Sequence, residues 1–167
     1  MQKAQYVIFL FFFNISNMLL GSSLDKYGDR IELVGIAFRD PLVLCQIFIA
    51  IFISIAFLQS GIDKIIDRSG NLEFLNVHFA NSFLKIFMPL LLSLLTILEL
   101  LGSLTLIYGI YYAFTIRTTL WIFYGLVIIA ITVILLFAGQ RIAKDYLGAA
   151  DLVPYFILIM LGIMSMY

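Results

Sequence analysis

The stretch MPLLLSLLTILELLGSLTLIY, residues 88–108, decides the fold of this chain, because Glu99 is its only charged residue. A helix needs about 20 predominantly apolar residues to cross a bilayer hydrocarbon core of about 30 Å. Three further stretches have the same character, although the last is slightly short: Leu42–Gly61, Trp121–Gly139 and Leu152–Tyr167. The four segments predict an all-α, polytopic membrane four-helix bundle.

The composition agrees with this class of protein. Of 167 residues, 63% are hydrophobic and 12% are charged, whereas a soluble domain carries about 25% charged residues. The length suits one bundle and leaves no room for a separate soluble catalytic unit. Ten basic and ten acidic residues cancel, so we expect the lipid bilayer, and not nucleic acid, as the surrounding partner.

The chain has few residues that bind metals or cofactors. Cys45 is the only cysteine and His78 is the only histidine. A lone thiol forms neither an intramolecular disulfide nor a cysteine-rich metal site, and a single histidine excludes bis-histidine haem ligation. We therefore expect no metal site and no intrinsic cofactor.

A fifth uncharged stretch, Tyr6–Leu24, precedes the four long segments and contains several Asn and Ser residues. Three interpretations compete: an additional spanning helix, an interfacial helix, or a secretory signal with Lys3 before its apolar core and Gly21-Ser22-Ser23 near a cleavage site. The single lysine and the long apolar run favour a membrane-embedded helix.

The segment Asp25–Pro41 follows and is rich in charged residues, so we expect it outside the membrane. The sequence therefore predicts two parts. Residues 1–41 form an N-terminal membrane-associated helix with a charged connection, and residues 42–167 form the bundle.

The connection after the first long segment combines a charged helix end with an amphipathic pattern. Four charged residues close the helix: Asp63, Lys64, Asp67 and Arg68. They form either a solvated interfacial cap or the polar mouth of the bundle, with Lys64 extending to headgroups. Ser69-Gly70-Asn71 predicts a turn. Apolar residues then recur at spacings of three and four, which predicts an amphipathic helix at the interface or over the bundle mouth: Leu72, Leu75, Phe79, Phe83 and Ile86.

The ends of the later segments carry their own signals. An aromatic cluster between the second and third long segments is typical of an interfacial belt: Tyr108, Tyr111, Tyr112, Trp121 and Tyr124. Asp151 is predicted as the N-cap of the last helix, with Pro154 inside its first turn.

Glu99 is the main candidate for function. An ionised carboxylate at a helix centre costs about 2.5–3.5 kcal/mol to insert, so it should face the bundle interior. It either carries protons or bonds a quinone or lipid headgroup, or it is a structural group bonded to a Gln or Tyr of another helix. The candidate cavity or proton-site residues are Glu99, Gln46, Gln59, Thr96 and Ser103.

Several short motifs resemble the DoxX-like family of membrane proteins. Ser60-Gly61-Ile62-Asp63-Lys64 is similar to the Ser-Gly-x-x-Lys end of that family's first core helix. The segment from Phe79 to Pro89, which leads into a helix bearing Glu99, also resembles the family. So does the segment Gly139–Tyr146 before the last helix.

This resemblance covers about Leu42–Tyr167 and implies a four-helix bundle, mostly in bacterial cytoplasmic (inner) membranes. Some relatives are subunits of a thiosulfate:quinone oxidoreductase, and others associate with redox-detoxification proteins. By position, Glu99 resembles the family's membrane carboxylate, and Gly61 with Lys64 resembles its helix-end motif. The chain departs from the family in its extra N-terminal stretch, in Gln46 where many relatives have Arg, and in lacking a cysteine pair.

The expected function is that of an accessory subunit in a membrane redox system, which contacts a quinone or lipid near Glu99 and binds other membrane or redox subunits. The alternative is a non-enzymatic scaffold or assembly subunit of a larger membrane complex. A third class is a small transporter with Glu99 as its proton site, although the sequence has no visible inverted halves. An open cavity beside Glu99 would favour the redox role, and a close-packed interior would favour the scaffold.

Overall fold

The structure is a computed structural model of the chain. The residues that it describes are 31–33, 36–38, 41–80 and 82–166. The predicted N-terminal membrane helix, Tyr6–Leu24, lies outside the described residues. The chain divides into two units, with the boundary between Leu44 and Cys45.

A short antiparallel hairpin belongs to the first unit. Strand β1 (Ile31–Leu33) pairs with β2 (Ile36–Phe38), with Ile31 opposite Phe38 and Leu33 opposite Ile36. The sequence pattern indicates only a charged connection here. Strands of three residues are too short for a period of two to be recognised.

Five α-helices and one 3-10 helix make up the rest of the described chain. They are α1 (Pro41–Ile66), α2 (Arg68–His78), the 3-10 helix (Phe83–Phe87), α3 (Met88–Thr115), α4 (Leu120–Ile142) and α5 (Tyr146–Met164). Helices α1, α3, α4 and α5 are long and apolar enough to cross a membrane. The predicted all-α four-helix membrane bundle is confirmed, and the chain is an integral membrane protein.

Small residues bring α3 and α4 close together. A Cβ atom on Gly109 would lie only 2.6 Å from the backbone nitrogen of Ile122. On the facing helix, a Cβ atom on Gly125 would lie 2.7 Å from Leu106 Cγ. Membrane helices pack largely by such van der Waals contact, because lipid provides no hydrophobic drive for association. These two glycines therefore set the α3–α4 separation.

Helix α5 packs against α1 and runs antiparallel to it. The Tyr155 ring meets the Phe57 ring edge-on at 6.1 Å. Further along, a Cβ atom on Gly162 would lie 3.1 Å from Ile49 Cγ2. The C-terminal end of α5 therefore lies beside the part of α1 around Ile49.

Two predicted helix boundaries are wrong. Helix α5 begins five residues before Asp151, because the Asp145 carboxylate accepts a hydrogen bond of 2.9 Å from the Gly148 amide and caps the helix there. The predicted turn at Ser69-Gly70-Asn71 lies inside α2, because Asp67 caps that helix through the Gly70 amide. In both cases the aspartate that caps the helix lies earlier in the sequence than the predicted boundary.

The predicted amphipathic helix is divided into two pieces. Helix α2 ends at His78, and the 3-10 helix then starts after Ser82, whose hydroxyl accepts a hydrogen bond from the Leu84 amide. Phe79, between the two pieces, is buried with 6% of its surface exposed. The apolar spacing of three and four runs through this break, so periodicity alone does not reveal it.

Candidate functional site: a buried lysine–glutamate pair

Glu99 lies in the buried face of α3 and is fully buried. The buried residues of this helix follow the spacing of one helical face: Met88, Leu92, Thr96, Glu99, Gly102, Ser103, Leu106, Gly109 and Ala113. Eight of these nine residues are uncharged: three are large and apolar, and five are small or hydroxylated, which leaves Glu99 as the single charge on the face. The expectation that Glu99 faces the bundle interior agrees with this placement.

Lys64, in the last turn of α1, forms an ion pair with Glu99. Its Nζ atom lies 3.0 Å from Glu99 Oε1 and 2.9 Å from Oε2, so it donates to both carboxylate oxygens. The Lys64 side chain is 17% exposed, whereas that of Glu99 is 1% exposed. Because water is largely excluded, the pair is much less screened than one on a protein surface.

Ser60 completes the surroundings of the ammonium group. Lys64 Nζ lies 2.6 Å from Ser60 Oγ and 3.4 Å from the Ser60 carbonyl oxygen. Ser60 is four residues before Lys64, so the two side chains lie on the same face of α1. The three donors of an ammonium group thus meet a carboxylate and a hydroxyl.

Gly61 allows α1 to approach α3 at the level of this pair. A Cβ atom on Gly61 would lie 2.8 Å from Leu100 Cδ2 and 3.6 Å from Glu99 Cβ. A larger residue would push the helices apart and lengthen the Lys64–Glu99 contact. Three residues of the helix-end motif therefore contribute to the same contact between α1 and α3: Ser60, Gly61 and Lys64.

Arg68 makes a second contact with α3, nearer to its N-terminal end. One guanidinium nitrogen lies 2.7 Å from Ser93 Oγ and 3.4 Å from the Pro89 carbonyl oxygen. Arg68 is exposed, and it is the first residue of α2, four residues after Lys64. The polar contacts thus form two layers, with Arg68 outside and the ion pair inside.

The two remaining charged residues of the predicted mouth do not join these layers. Asp63 is exposed. Asp67 is also exposed, and its carboxylate caps α2. Of the four predicted mouth residues, the structure brings Lys64 and Arg68 against α3.

Thr96 and Ser103 are buried on either side of Glu99 along α3. The Thr96 hydroxyl donates to the Leu92 carbonyl at 2.7 Å, and the Ser103 hydroxyl donates to the Glu99 carbonyl at 2.6 Å. Each hydroxyl proton is therefore used within the helix itself. Neither proton is directed to the Glu99 carboxylate.

The structure does not bring either candidate glutamine to Glu99. Gln46 Nε2 donates to the Ser165 carbonyl at 2.8 Å, about 27 Å along α1 from Lys64 at 1.5 Å per residue. Gln59 is exposed. Among the described residues, the buried Gln46 Oε1 has no hydrogen-bond partner.

The arrangement keeps two opposite charges neutralised within the bundle. Both Glu99 oxygens are occupied by one ammonium group, so the pair joins α1 to α3. No cluster of three His, Cys, Asp or Glu residues suited to a metal ion occurs in the part of the chain that the structure describes. Three of the apolar cavities along the described helices are lined by neither Glu99 nor Lys64.

Lys64 is the partner that sequence reasoning missed. The helix-end charges suggest a solvated group, because lysine side chains usually extend toward water at membrane boundaries. One signal was available: a carboxylate inside a membrane segment usually pairs with an oppositely charged residue. Lys64 also lies four residues after Ser60, within a motif that already contains the close-contact Gly61.

His78 contributes to a second polar cluster at the same end of α3. Its Nε2 lies 3.0 Å from Gln140 Oε1 and 3.5 Å from Asp145 Oδ2. The His78 ring also stacks on Phe74 at 5.5 Å. This cluster attaches the end of α2 to the α4–α5 turn.

Comparisons with known proteins identify no relative of this chain. No protein-family model matches the chain, and no match to it is found among curated proteins or solved structures.

Proposed function

We propose that this protein is a non-enzymatic accessory subunit, of DoxX-like type, that serves as a scaffold for another protein in a membrane complex. The observation that supports the scaffold role is the ion pair in which Lys64 Nζ contacts both carboxylate oxygens of Glu99, at 3.0 Å and 2.9 Å. A carboxylate that accepts from Lys64 through both oxygens is held in the contact between α1 and α3 and stabilises the bundle. A bacterial cytoplasmic membrane is the proposed location, on the resemblance to DoxX-like proteins.

The packing around Glu99 also supports a scaffold. The residue is fully buried, and Leu100 lies where a side chain on Gly61 would be. Other residues line the three apolar cavities described above. A headgroup that bonded Glu99 would have to enter the contact between α1 and α3, where a Cβ atom on Gly61 would lie only 2.8 Å from Leu100 Cδ2.

A second candidate is the accessory subunit of a membrane redox system, with a quinone bound near Glu99. One observation favours it: the Lys64 side chain keeps 17% of its surface exposed. An ammonium group accessible at a helix end is a suitable donor to a quinone carbonyl oxygen. In this role the quinone is a substrate or ligand and not an intrinsic cofactor.

The test is purification of the tagged full chain in lipid nanodiscs from its own host, followed by mass spectrometry of co-purifying proteins and quinones. The informative variant combines Lys64→Met with Glu99→Met, because replacing a buried ion pair by apolar residues of similar volume is often neutral or stabilising. Glu73→Gln together with Lys144→Met is the matched control, since both residues are exposed.

A scaffold retains a stoichiometric protein partner in the double variant and in the control, and carries no quinone. A stoichiometric quinone that is present in the wild type and the control but lost in the double variant would contradict the scaffold proposal. That result would support the redox role instead.

A further inference from the structure

A cavity of about 230 Å³ lies between α2, α3 and α4, away from the Lys64–Glu99 pair. Leu75 and Phe79 line it from the α2 side, and leucines of the first two turns of α3 line the opposite wall. The last two turns of α4 close the third side. The cavity therefore lies near one end of the spanning helices, under the amphipathic segment.

The lining is almost entirely hydrocarbon. Gln140 is the one side chain of the lining with an amide group, and the remaining lining residues are apolar. Pockets for drug-sized ligands typically measure about 300–1,000 Å³ and contain several polar groups. A smaller cavity with one amide fits a single hydrocarbon chain better than a ring system with several polar substituents.

The cavity opens toward the lipid-facing surface of the bundle. Leu94, Leu135 and Ile142 line it and are 43%, 41% and 41% exposed. In a spanning bundle, such exposed apolar side chains face lipid tails. The cavity therefore opens into the acyl-chain region of the bilayer. Lipid acyl chains, which are hydrocarbon like the cavity lining, can enter it from there.

Two basic residues are adjacent in the sequence to residues that line the cavity. Lys85 follows the lining residue Leu84, and Arg141 lies between the lining residues Gln140 and Ile142. Both basic residues are exposed. The nearby Asp145 carboxylate is engaged by the Gly148 amide and by His78. Clusters of Lys and Arg at a membrane boundary attract anionic headgroups.

We propose that this cavity binds one acyl chain of an anionic phospholipid, with the phosphate near Lys85 and Arg141. The amide of Gln140 lies between the chain and the headgroup, where it can donate to an ester carbonyl. The lipid would fill the space beneath α2 and connect that segment to α3 and α4. This site is separate from the Lys64–Glu99 pair and from the scaffold proposal.

The first experiment measures which lipids remain bound after purification from vesicles of phosphatidylcholine with a minor fraction of phosphatidylglycerol. Gly139→Leu fills the cavity, because a Cβ atom there meets only Phe79 Cζ at 3.7 Å. Ala150→Leu places the same leucine side chain at an exposed position of α5. We expect about one phosphatidylglycerol per chain in the wild type and in Ala150→Leu, and background levels in Gly139→Leu. Equal retention in all three would overturn the proposal.

The headgroup contact is tested separately. Lys85→Gln with Arg141→Gln should reduce the enrichment of phosphatidylglycerol over phosphatidylcholine by roughly five- to thirtyfold, given the contribution of each basic residue near anionic lipid. Arg117→Gln, at the α3–α4 turn, is the control and should leave the enrichment unchanged. An equal loss in the control would show attraction to the whole basic surface and would contradict a defined site.

A measurement on the wild type avoids dependence on folded variants. Phosphatidylglycerol with a diazirine in its acyl chain is photo-crosslinked to the reconstituted protein, and the adducts are located by mass spectrometry. Adducts concentrated on Leu94, Leu135 and Phe79 support the site. Adducts spread evenly over the exposed faces of all four spanning helices would show annular lipid only and would contradict it.

Discussion

Across the contact between α1 and α3, Lys64 Nζ lies 3.0 Å from Glu99 Oε1 and 2.9 Å from Glu99 Oε2. One partner comes from the last turn of its helix and the other from the middle of the next spanning helix. The two are 35 residues apart in the sequence, so only the return of the chain through α2 brings them together.

Loss of one partner of this pair should strongly destabilise the protein. Lys64→Met leaves the fully buried Glu99 without its counter-charge, and breaking a buried pair in this way typically costs about 3–5 kcal/mol. We expect a clearly lower midpoint of thermal unfolding in detergent. Lys144→Met, at an exposed lysine, is the control. Equal midpoints for the two variants would show that the pair does not stabilise the bundle.

Removal of both charges should recover most of this loss. The variant Lys64→Met with Glu99→Met has no buried charge, and apolar replacements of buried ion pairs are often neutral or stabilising. The double variant should therefore unfold at a higher temperature than Lys64→Met alone. A double variant less stable than the single one would contradict this expectation. It would show that the unpaired Glu99 charge is not the main cause of the instability of Lys64→Met.

A methyl group on Gly109 should separate α3 from α4. Its Cβ atom would lie 2.6 Å from the backbone nitrogen of Ile122 and 2.8 Å from the Trp121 carbonyl carbon, and the backbone cannot move aside as a side chain can. Overpacking of this kind typically costs about 1–3 kcal/mol. Thermal unfolding of Gly109→Ala in detergent gives the value.

The matched control is Gly139→Ala in α4. There the new Cβ atom meets only Phe79 Cζ at 3.7 Å, an ordinary van der Waals contact. Alanine is favoured over glycine in helices by about 1 kcal/mol, so this variant should be as stable as the wild type or slightly more stable. A loss as large as that of Gly109→Ala would argue against close helix contact as the cause.

Asp145 should be the residue that starts α5. Asp145→Ala removes the acceptor for the Gly148 amide and a contact of His78, and loss of an N-cap costs about 1 kcal/mol. Faster hydrogen exchange at the first amides of α5 is the expected signature. Asp151→Ala, at an exposed position, should change exchange little. The reverse order would restore Asp151 as the cap.

Gln46 should contribute independently of the ion pair. Gln46→Met loses the bond to the Ser165 carbonyl but also removes the buried Oε1, which has no partner among the described residues. Since an unsatisfied buried group costs about 1–3 kcal/mol, we expect unchanged or higher stability. The effects of Gln46→Met and Lys64→Met should add within about 0.5 kcal/mol, because distant sites are independent. A larger coupling would place Gln46 in the Glu99 site.

The sequence also indicates which part of the site belongs to the interior. An uncompensated charge in a long apolar segment must face other helices, and Glu99 is fully buried. The identity of its partner depends on distances between helices. Gln46 and Gln59 satisfy the chemistry of a hydrogen-bonding partner, yet Gln46 bonds Ser165 and Gln59 is exposed.

Residues typical of helix ends predicted the helix boundaries less well than the lengths of the apolar segments predicted the number of spanning helices. Asp145 and Asp151 are both acceptable N-caps by residue type, and the choice of Asp145 depends on the position of Gly148 and on contact with His78. In α2 the same ambiguity arises, because Gly70 suggests a turn although Asp67 caps a helix that includes it.

The sequence by itself determined that this chain is an all-α membrane bundle with four spanning helices, because length and apolarity alone satisfy the bilayer. It also determined that Glu99 is buried. Only the tertiary structure decided that Lys64 neutralises Glu99, and that Gly61 and Gly109 set the distances between helices. The physical reason is that hydropathy acts on each helix separately, whereas ion pairing and close packing depend on which faces meet.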